Sequence, residues 1–341
     1  MTRNLKLFGG RANPALAMRI SEYLGISLGA CKIAPFPDGE LLVKLEEDVR
    51  GRDLFIIQPT CAPVNENLVE LLVFVDCARR ASAERITAVV PYFGYARQDR
   101  KDEGRTPISA KLVANLIATA GADRVLTLDL HAAQIQGFFD IPVDNLHAEP
   151  VLSQYYAEKG IEDLVLVSPD VGNVKRAGAY AQRLRGDLAI INKRRTGGSS
   201  VEIGQIIGSV KGKTVLMMDD MITTASTITP AAELCRQEGA EKILVGATHA
   251  VLCGPAIERL RNAPIDEIVV TDTIPLSPET LAAIPNLKVL SVASLIGEAV
   301  HRIHNDESVS NLFLKDGGQA WTLQGSLVWE NRDGGTEGHS A

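Results

Sequence analysis

The chain has 341 residues, of which 45% are hydrophobic, and its 42 Asp and Glu outnumber its 35 Lys and Arg to give a net charge of −7. This length and apolar content exclude a wholly disordered chain and predict two lobes of similar size, each with its own core. The acidic balance argues against a protein that coats nucleic acid, because such proteins neutralise phosphates with a basic surface.

The N-terminal segment shows no secretion signal, because Gly9 and Gly10 interrupt it before an apolar core can form. No later stretch approaches the roughly 18 apolar residues of a membrane helix. The cysteines are widely spaced and never form a C-x-x-C pair, so we expect neither a disulfide framework nor a zinc site. We therefore expect a cytoplasmic protein with neither a membrane nor a nucleic acid as its partner.

Short β-branched runs alternate with longer amphipathic runs, a pattern typical of βαβ units around a mainly parallel sheet. The predicted fold class is therefore α/β. The segment Asn65–Arg80 carries apolar residues at helical spacing and predicts a crossover helix with Asn65 or Asn67 as its N-cap. The predicted strands are Leu54–Gln58, Ile86–Pro91, Arg124–Leu128, Leu164–Ser168, Thr214–Met218, Ile243–Thr248 and Glu267–Thr271.

Two parts of the chain read alike. Asp53–Pro91 runs strand, loop, helix, strand, and Lys213–Thr248 runs the same way. Two copies of one α/β unit would account for the length, although ordinary βαβ units can also resemble one another by chance. The predicted domains are residues 1–147 and 148–314, followed by a tail at 315–341 to which we assign no role.

The segment Thr214–Thr227 holds the clearest chemical signal: an apolar strand ending in Asp219 and Asp220, then a hydroxyl-rich loop, then a helix. Such a loop directs N–H groups and hydroxyls at an anion on the helix N-terminus. The acids can accept hydrogen bonds from vicinal sugar hydroxyls or join a Mg²⁺ shell. The segment predicts a sugar-phosphate site, although an acidic strand end before a Ser/Thr-capped helix would use the same residues.

Three further segments carry candidate chemistry. Tyr95–Arg105 places four cations after a strand, and Asn192–Arg195 places three before a Gly/Ser-rich stretch suited to closing on a phosphoryl group. His131 and Asp170 each follow a strand and are either metal ligands or polar strand ends. Solvated surface loops would also explain the cationic segments. Because His131, Asp170 and the segments of Arg97 and Asp219 all lie at strand carboxyl ends, we expect these four ends to converge at one cleft.

Together these segments make the sequence resemble the ribose-phosphate diphosphokinases, also called PRPP synthetases, of the phosphate-activated type. The resemblance spans roughly residues 4–314 and implies two duplicated phosphoribosyltransferase-like domains, each a mainly parallel sheet flanked by helices. The motifs that carry it are Phe36–Glu40, Tyr92–Arg100, Pro107–Asn115, Asp129–Ala132, Gln134–Asn145, Asn192–Arg195, Asp219–Met221 and Glu307–Phe313.

The resemblance implies a reaction in which the diphosphoryl group of Mg-ATP moves to the anomeric hydroxyl of ribose 5-phosphate. The products would be 5-phosphoribosyl 1-diphosphate (PRPP), which feeds nucleotide, histidine, tryptophan and NAD synthesis, and AMP. It also implies Mg²⁺ as cofactor and a homohexamer with active sites between subunits.

The family pattern also assigns roles to individual residues. It gives catalysis to Lys193 and Arg195, and Mg²⁺ binding or orientation to His131 and Asp170. ATP would be bound by Arg97, Gln98 and Asp102, with adenine held by a neighbouring subunit's Phe36, Asp38, Gly39 and Glu40. Ribose 5-phosphate would be bound by Asp219, Asp220, Thr223, Thr224, Ala225, Ser226 and Thr227. A phosphate/ADP regulatory site would involve Arg50, Arg105, Ser308 and Ser310.

The chain departs from the family pattern near these sites. Thr223 and Ser226 replace an acid and a glycine, Asn173 replaces the second glycine of Asp-x-Gly-Gly, and Gly104 replaces a serine. Loss of an anion beside a phosphate should not weaken binding, and Ser226 can still offer its N–H unless the position requires a positive φ. Asn is the residue other than glycine that best tolerates left-handed backbone, so we expect Asn173 to be accommodated.

Three alternatives compete with an active synthetase. A catalytically silent regulatory subunit would keep the fold, but Lys193, Arg195, His131 and Asp170 are all retained. A purine or pyrimidine phosphoribosyltransferase would need neither the Phe36–Glu40 motif nor a duplicated domain. A PRPP-sensing transcription regulator would need a DNA-reading module, and no basic helix-turn-helix stretch is present.

Overall fold

The computed structural model describes residues 4–192, 194–195, 201–202 and 204–312. Lys193 and the tail at 315–341 lie outside the described residues. Arg195 lies in a two-residue strand, and its side chain is likewise outside the description. Within the described residues, no helix combines the length and apolar character needed to cross a membrane.

The strands and helices alternate along most of the chain. The strands β1 to β16 are Leu5–Gly9, Cys31–Pro35, Leu41–Leu45, Asp53–Ile57, Arg85–Val90, Arg124–Leu128, Val143–Leu146, Leu164–Ser168, Asp187–Ile191, Arg194–Arg195, Val201–Glu202, Ile206–Ile207, Thr214–Ile222, Lys242–Ala250, Glu267–Thr271 and Leu287–Leu290. The helices α1 to α9 are Pro14–Leu24, Val64–Arg80, Ser109–Ala120, Glu149–Glu158, Val174–Leu184, Ile228–Gln237, Ala256–Asn262, Pro278–Ala283 and Ala293–His304. Short 3₁₀ segments lie at Ala133–Phe138, Val171–Asn173 and Val309–Leu312.

Two mainly parallel sheets organise the described residues. The first has the order β1-β4-β5-β6-β7 and is parallel throughout. The second has the order β12-β9-β8-β13-β14-β15-β16, with only β12 antiparallel to its neighbour. The predicted α/β class with two such sheets flanked by helices is confirmed. The units β4-α2-β5 and β13-α6-β14 are the two similar segments, while the domain bounds at 147 and 314 stay a prediction.

The strands form where apolar residues run continuously, because a sheet covered on both faces buries every side chain. All five residues of β4 and of β8 are buried. The predicted bounds of β6, β8 and β15 match the structure. The predicted end of β13 at Met218 is wrong, because parallel pairing with β14 continues through Asp219 and Ile222. The two acids therefore lie within the strand.

The start of α2 corrects a second prediction. The helix begins at Val64 with Pro63 as N-cap and has no side-chain capping bond. The side chain of Asn67 instead donates to the Cys61 carbonyl at 2.9 Å. The asparagine therefore closes the loop before the helix, a contact that local spacing could not distinguish from a cap.

Apolar and polar contacts join the two sheets. One core cluster contains Leu7 and Phe55 of the first sheet together with Leu216 and Val269 of the second. Helix α9 follows the second sheet but packs against α1. These contacts hold the carboxyl ends of both sheets against a common cleft.

His249 is a buried polar link at this junction. On β14, its Nδ1 lies 2.9 Å from Thr273 Oγ1, and its Nε2 lies 3.1 Å from the Leu128 carbonyl at the end of β6. Its side chain also meets the Tyr92 ring edge to face, with centroids 5.1 Å apart. Burial lowers the pKa of His249, so the folded protein keeps this imidazole neutral.

Acid should destabilise the protein through His249. The unfolded chain takes up a proton here near pH 6.5, whereas the lowered pKa prevents the folded chain from doing so, and stability is therefore lost as the pH falls below about 6.5. We expect the apparent Tm to drop more steeply between about pH 7.5 and 5.5 in the wild type than in His249→Gln, measured by scanning calorimetry. Parallel curves for the two proteins would contradict this role.

Candidate active site

A cleft lies where the carboxyl ends of the two sheets meet, the position at which open α/β sheets bind ligands. It contains two adjoining cavities of about 430 and 900 Å³. The segments after β5, β6 and β8 contribute Arg97, His131 and Asp170, and β13 contributes Asp219 and Asp220. The structure thus brings together the segments that carry Arg97, His131, Asp170 and Asp219, whereas the cationic side chains of the segment Asn192–Arg195 lie outside the described residues.

Asp220 is the centre of a buried charge network. Its Oδ2 lies 2.7 Å from His131 Nδ1, and its Oδ1 lies 3.3 Å from Arg176 Nη1. Burial alone would raise the pKa of Asp220, but the His131 hydrogen bond and the Arg176 charge outweigh it and hold the pKa below its usual range. The same hydrogen bond raises the pKa of His131. The arrangement therefore favours a carboxylate held between two cations.

Asp219 has a different environment. Its Oδ1 accepts hydrogen bonds from Asn173 Nδ2 at 2.9 Å and from the Asp220 N–H at 2.8 Å. Burial and the neighbouring Asp220 carboxylate raise the pKa of Asp219. The Arg176 guanidinium is farther away, at 3.8 Å. Adjacent acids with pKa values shifted in opposite directions are a feature of functional sites.

The loop after β13 closes one end of the smaller cavity. Thr223, Ala225, Ser226 and Thr227 line it, and Thr224 Oγ1 lies 3.0 Å from the Ser226 hydroxyl. The residue with a positive φ is Ala225, at 58°, and not Ser226. The serine therefore occupies ordinary backbone and its side chain is tolerated. Helix α6 begins directly after this loop without a side-chain cap, so its first N–H groups suit an anion.

Substitutions at Ala225 should separate backbone strain from loop chemistry. A β-branched residue is strongly disfavoured at positive φ, so Ala225→Val should displace the loop and weaken about tenfold the binding of ribose 5-phosphate, the ligand that the resemblance implies. Ala225→Gly fits the same φ and should bind within about twofold of the wild type. Isothermal titration calorimetry measures both affinities. Equal affinity in the valine and glycine variants would contradict the importance of this backbone conformation.

The cleft fits a magnesium ion that arrives with a phosphate ligand. Among the described residues, no group of three or more His, Cys, Asp or Glu is placed to hold a metal by itself. Mg²⁺ is usually held by one or two carboxylates together with waters and substrate phosphates, and Asp170 lines the cavity near the acidic pair. His131 is engaged by Asp220, and imidazole is not a preferred Mg²⁺ ligand, so orientation suits it better than direct binding.

The other predicted site residues lie in the cleft, beside it, or away from it on the surface. Asp102 lines the larger cavity with Arg97 and pairs with Arg100 at 2.9 Å. Gln98 lies beside the cleft without lining it, and its side-chain oxygen accepts from the Ser109 hydroxyl. Two sets are exposed and line neither cavity: the turn residues between β2 and β3, namely Phe36, Asp38, Gly39 and Glu40, and the predicted regulatory residues Arg50, Arg105, Ser308 and Ser310.

Arg176 is a site residue that the sequence analysis missed. It lies in the first turn of α5, where the helix dipole disfavours a cation. Nearby carboxylates, Asp219, Asp220 and Asp129, compensate for this placement. A cation in the first turn of a helix was the one signal of Arg176 in the sequence. It identifies a site residue only when the acids on β13 are known to face that helix turn.

Two parallel sheets with an acidic strand and a hydroxyl-rich loop at their carboxyl ends define a protein with phosphoribosyltransferase-like folds. Comparison with known proteins specifies the family. Residues 5–121 match the family described as the N-terminal domain of ribose phosphate pyrophosphokinase, and residues 199–314 match the phosphoribosyl synthetase-associated domain.

Relatives that match most of the chain point to the same family. The chain is 60% identical to the ribose-phosphate pyrophosphokinase of Rhodopirellula baltica over 91% of this chain and 99% of the relative. It is 55% identical to the Chromobacterium violaceum enzyme of the same name, over 91% and 95%. The crystal structure of phosphoribosylpyrophosphate synthetase from Mycobacterium smegmatis superposes with a TM-score of 0.83 at 44% identity, covering 89% of this chain and 100% of that one. The chain belongs to the ribose-phosphate pyrophosphokinase family, the enzymes of PRPP synthesis.

Proposed function

We propose that this enzyme transfers the diphosphoryl group of ATP to the C1 hydroxyl of ribose 5-phosphate in the cytoplasm. The C1 oxygen attacks the β-phosphorus and loses its proton to solvent, the bond between that phosphorus and the oxygen bridging to the α-phosphorus breaks, and AMP leaves with that oxygen. The observation that carries the proposal is the convergence of Asp219, Asp220 and the Thr223–Thr227 loop with Arg97 and Asp170 in one cleft.

The two ends of the sugar phosphate would meet different chemistry. Asp219 and Asp220 are adjacent acceptors with partly buried carboxylates, which suits two vicinal ribose hydroxyls. The Thr223–Thr227 loop and the start of α6 would take the 5-phosphate through N–H and hydroxyl donors. This arrangement leaves the anomeric hydroxyl toward the larger cavity, where the ATP phosphates would lie.

The charged residues that line the larger cavity would hold ATP. Arg97 lines both cavities, and its guanidinium suits phosphate oxygens. Mg²⁺, when bound, would neutralise charge on the transferred phosphates. Lys193 and Arg195 keep the transition-state role that the resemblance assigns them. No covalent enzyme intermediate is required, so catalysis consists of positioning and charge stabilisation.

The exposed turn that contains Phe36, Asp38 and Glu40 supports an assembly with shared active sites. These residues lie outside their own chain's cleft, and the Phe36 side chain is 45% exposed. An aromatic ring and two carboxylates suit an adenine ring and its amino group. We therefore propose that a second copy of the chain supplies this turn to the ATP site, in a hexamer.

Phosphorus NMR of the purified protein with Mg-ATP and ribose 5-phosphate tests the proposal. The expected result is equal growth of AMP and PRPP signals, dependent on both substrates. Intact ATP under conditions in which a known active homologue turns over would refute the proposal. If that inactive protein also assembled with the homologue, the silent regulatory subunit would be the better description.

A further inference from the structure

Asn173 joins two parts of the cleft that are distant in sequence. Its backbone N–H donates to Asp170 Oδ1 at 3.0 Å, which closes the turn after β8. Its side-chain Nδ2 donates to Asp219 Oδ1 on β13 at 2.9 Å. One residue thus connects the turn that carries Asp170 with the first acid of the pair.

The backbone does not explain why an asparagine occupies this position. Asn173 has φ −93° and ψ 0°, which is right-handed backbone, so the asparagine is accommodated without the left-handed conformation that glycine tolerates best. The glycine that the family pattern places here has no side-chain amide to donate. What distinguishes asparagine is therefore its contact with Asp219.

The contact constrains the Asp219 carboxylate. Oδ1 receives both the Asn173 amide and the Asp220 N–H, so two donors from different directions fix the rotation of the group. A carboxylate has about four lone-pair positions, and saturating one oxygen leaves the other as the better acceptor for a ligand. The side chain of Asp219 is 18% exposed, so a ligand in the cavity can reach it.

We propose that Asn173 is a positioning residue that presents Asp219 to a ribose hydroxyl. The role rests on the proposed function, because it names the residue that orients part of the ribose 5-phosphate site. It acts through Asp219, the acid proposed to accept from the ribose. Loss of the Asn173 side chain should therefore weaken the binding of ribose 5-phosphate and leave the binding of ATP nearly unchanged.

Three substitutions test the role. Asn173→Ala removes the amide and should raise the Kd for ribose 5-phosphate about tenfold, since a hydrogen bond to a charged group is lost, while the KM for ATP stays within about twofold. Asn173→Asp keeps the size of the side chain but faces Asp219 with a like charge, so its Kd should rise further. Asn173→Gly fits the same backbone and also lacks the side-chain amide, so it should bind ribose 5-phosphate as weakly as the alanine variant. Asn262→Ala is the control, because this exposed asparagine at the end of α7 lies outside the cleft.

Calorimetric titration with ribose 5-phosphate alone, combined with steady-state kinetics, separates the outcomes. Wild-type affinity for ribose 5-phosphate in Asn173→Gly would overturn the role, whatever the alanine variant does, and so would an equal loss of affinity for both substrates. A wild-type protein that does not bind ribose 5-phosphate would refute the proposed function and this role with it. Wild-type binding together with unchanged binding by the variants would refute only the role of Asn173.

Discussion

Replacing Asp220 by asparagine should lower kcat/KM for ribose 5-phosphate about a thousandfold while the protein stays folded. The substitution removes the charge that holds His131 at 2.7 Å and Arg176 at 3.3 Å, together with one proposed acceptor for the ribose. Hydrogen bonds to charged groups contribute about 1.5–3 kcal/mol each, so losing the bond to His131 together with the proposed bond from the ribose accounts for a factor of this size. Initial rates of AMP formation at varied ribose 5-phosphate measure it.

The matched control is Asp187→Asn. Asp187 lies on β9 of the same sheet, pairs with Lys213 and is 69% exposed on its side chain. Its loss should leave the rates unchanged, because an exposed ion pair contributes little. If the kcat/KM of Asp220→Asn for ribose 5-phosphate were within about threefold of the wild-type value, the buried network would not be part of the active site.

Replacing Arg85 by alanine should destabilise the protein strongly without touching the cleft. Arg85 Nε donates to Asp53 Oδ1 at 2.7 Å and its Nη2 donates to the Ile303 carbonyl at 2.9 Å, which ties α9 to the first sheet. Asp53 is fully buried, so the variant leaves a buried carboxylate with His304 as its remaining partner. Breaking a buried pair costs about 3–5 kcal/mol, and we expect Tm to fall by about 5–10 °C.

Thermal unfolding by circular dichroism measures the change. Arg80→Ala is the control, because Arg80 pairs with Asp76 on the exposed face of α2 and its removal should hardly move Tm. Equal shifts in the two variants would show that the Asp53 cluster does not join α9 to the first sheet.

Much of the fold could be predicted because a parallel sheet imposes a simple pattern. Strands buried on both faces read as continuous apolar runs, which is why the bounds of β6, β8 and β15 were found to the residue. The end of β13 was not found, because a pair of acids is typical of a strand terminus. Here the strand continues, since pairing with β14 satisfies the backbone while the acids face the cleft.

The site could be predicted only in part. Asp219, Asp220 and the loop at 223–227 could be predicted from residue type alone, because two adjacent acids and a run of small hydroxyl residues follow an apolar stretch. Arg176 and Asn173 could not be predicted in this way, because their partners lie on β13; Asn173 and Asp219, for example, are 46 residues apart in the chain. A single sequence shows which groups follow each strand, but the contacts between segments depend on the order of strands in the sheet.

The most direct test of the central claim follows the C1 oxygen of ribose 5-phosphate. Sugar freshly labelled with ¹⁸O at C1 is incubated with Mg-ATP and enzyme, and the phosphorus NMR isotope shift locates the label. Transfer of the diphosphoryl group predicts ¹⁸O in the bridge between C1 and the diphosphate of PRPP, with unlabelled AMP. PRPP without the label would contradict the account, because it would mean that the C1–O bond of the sugar had broken.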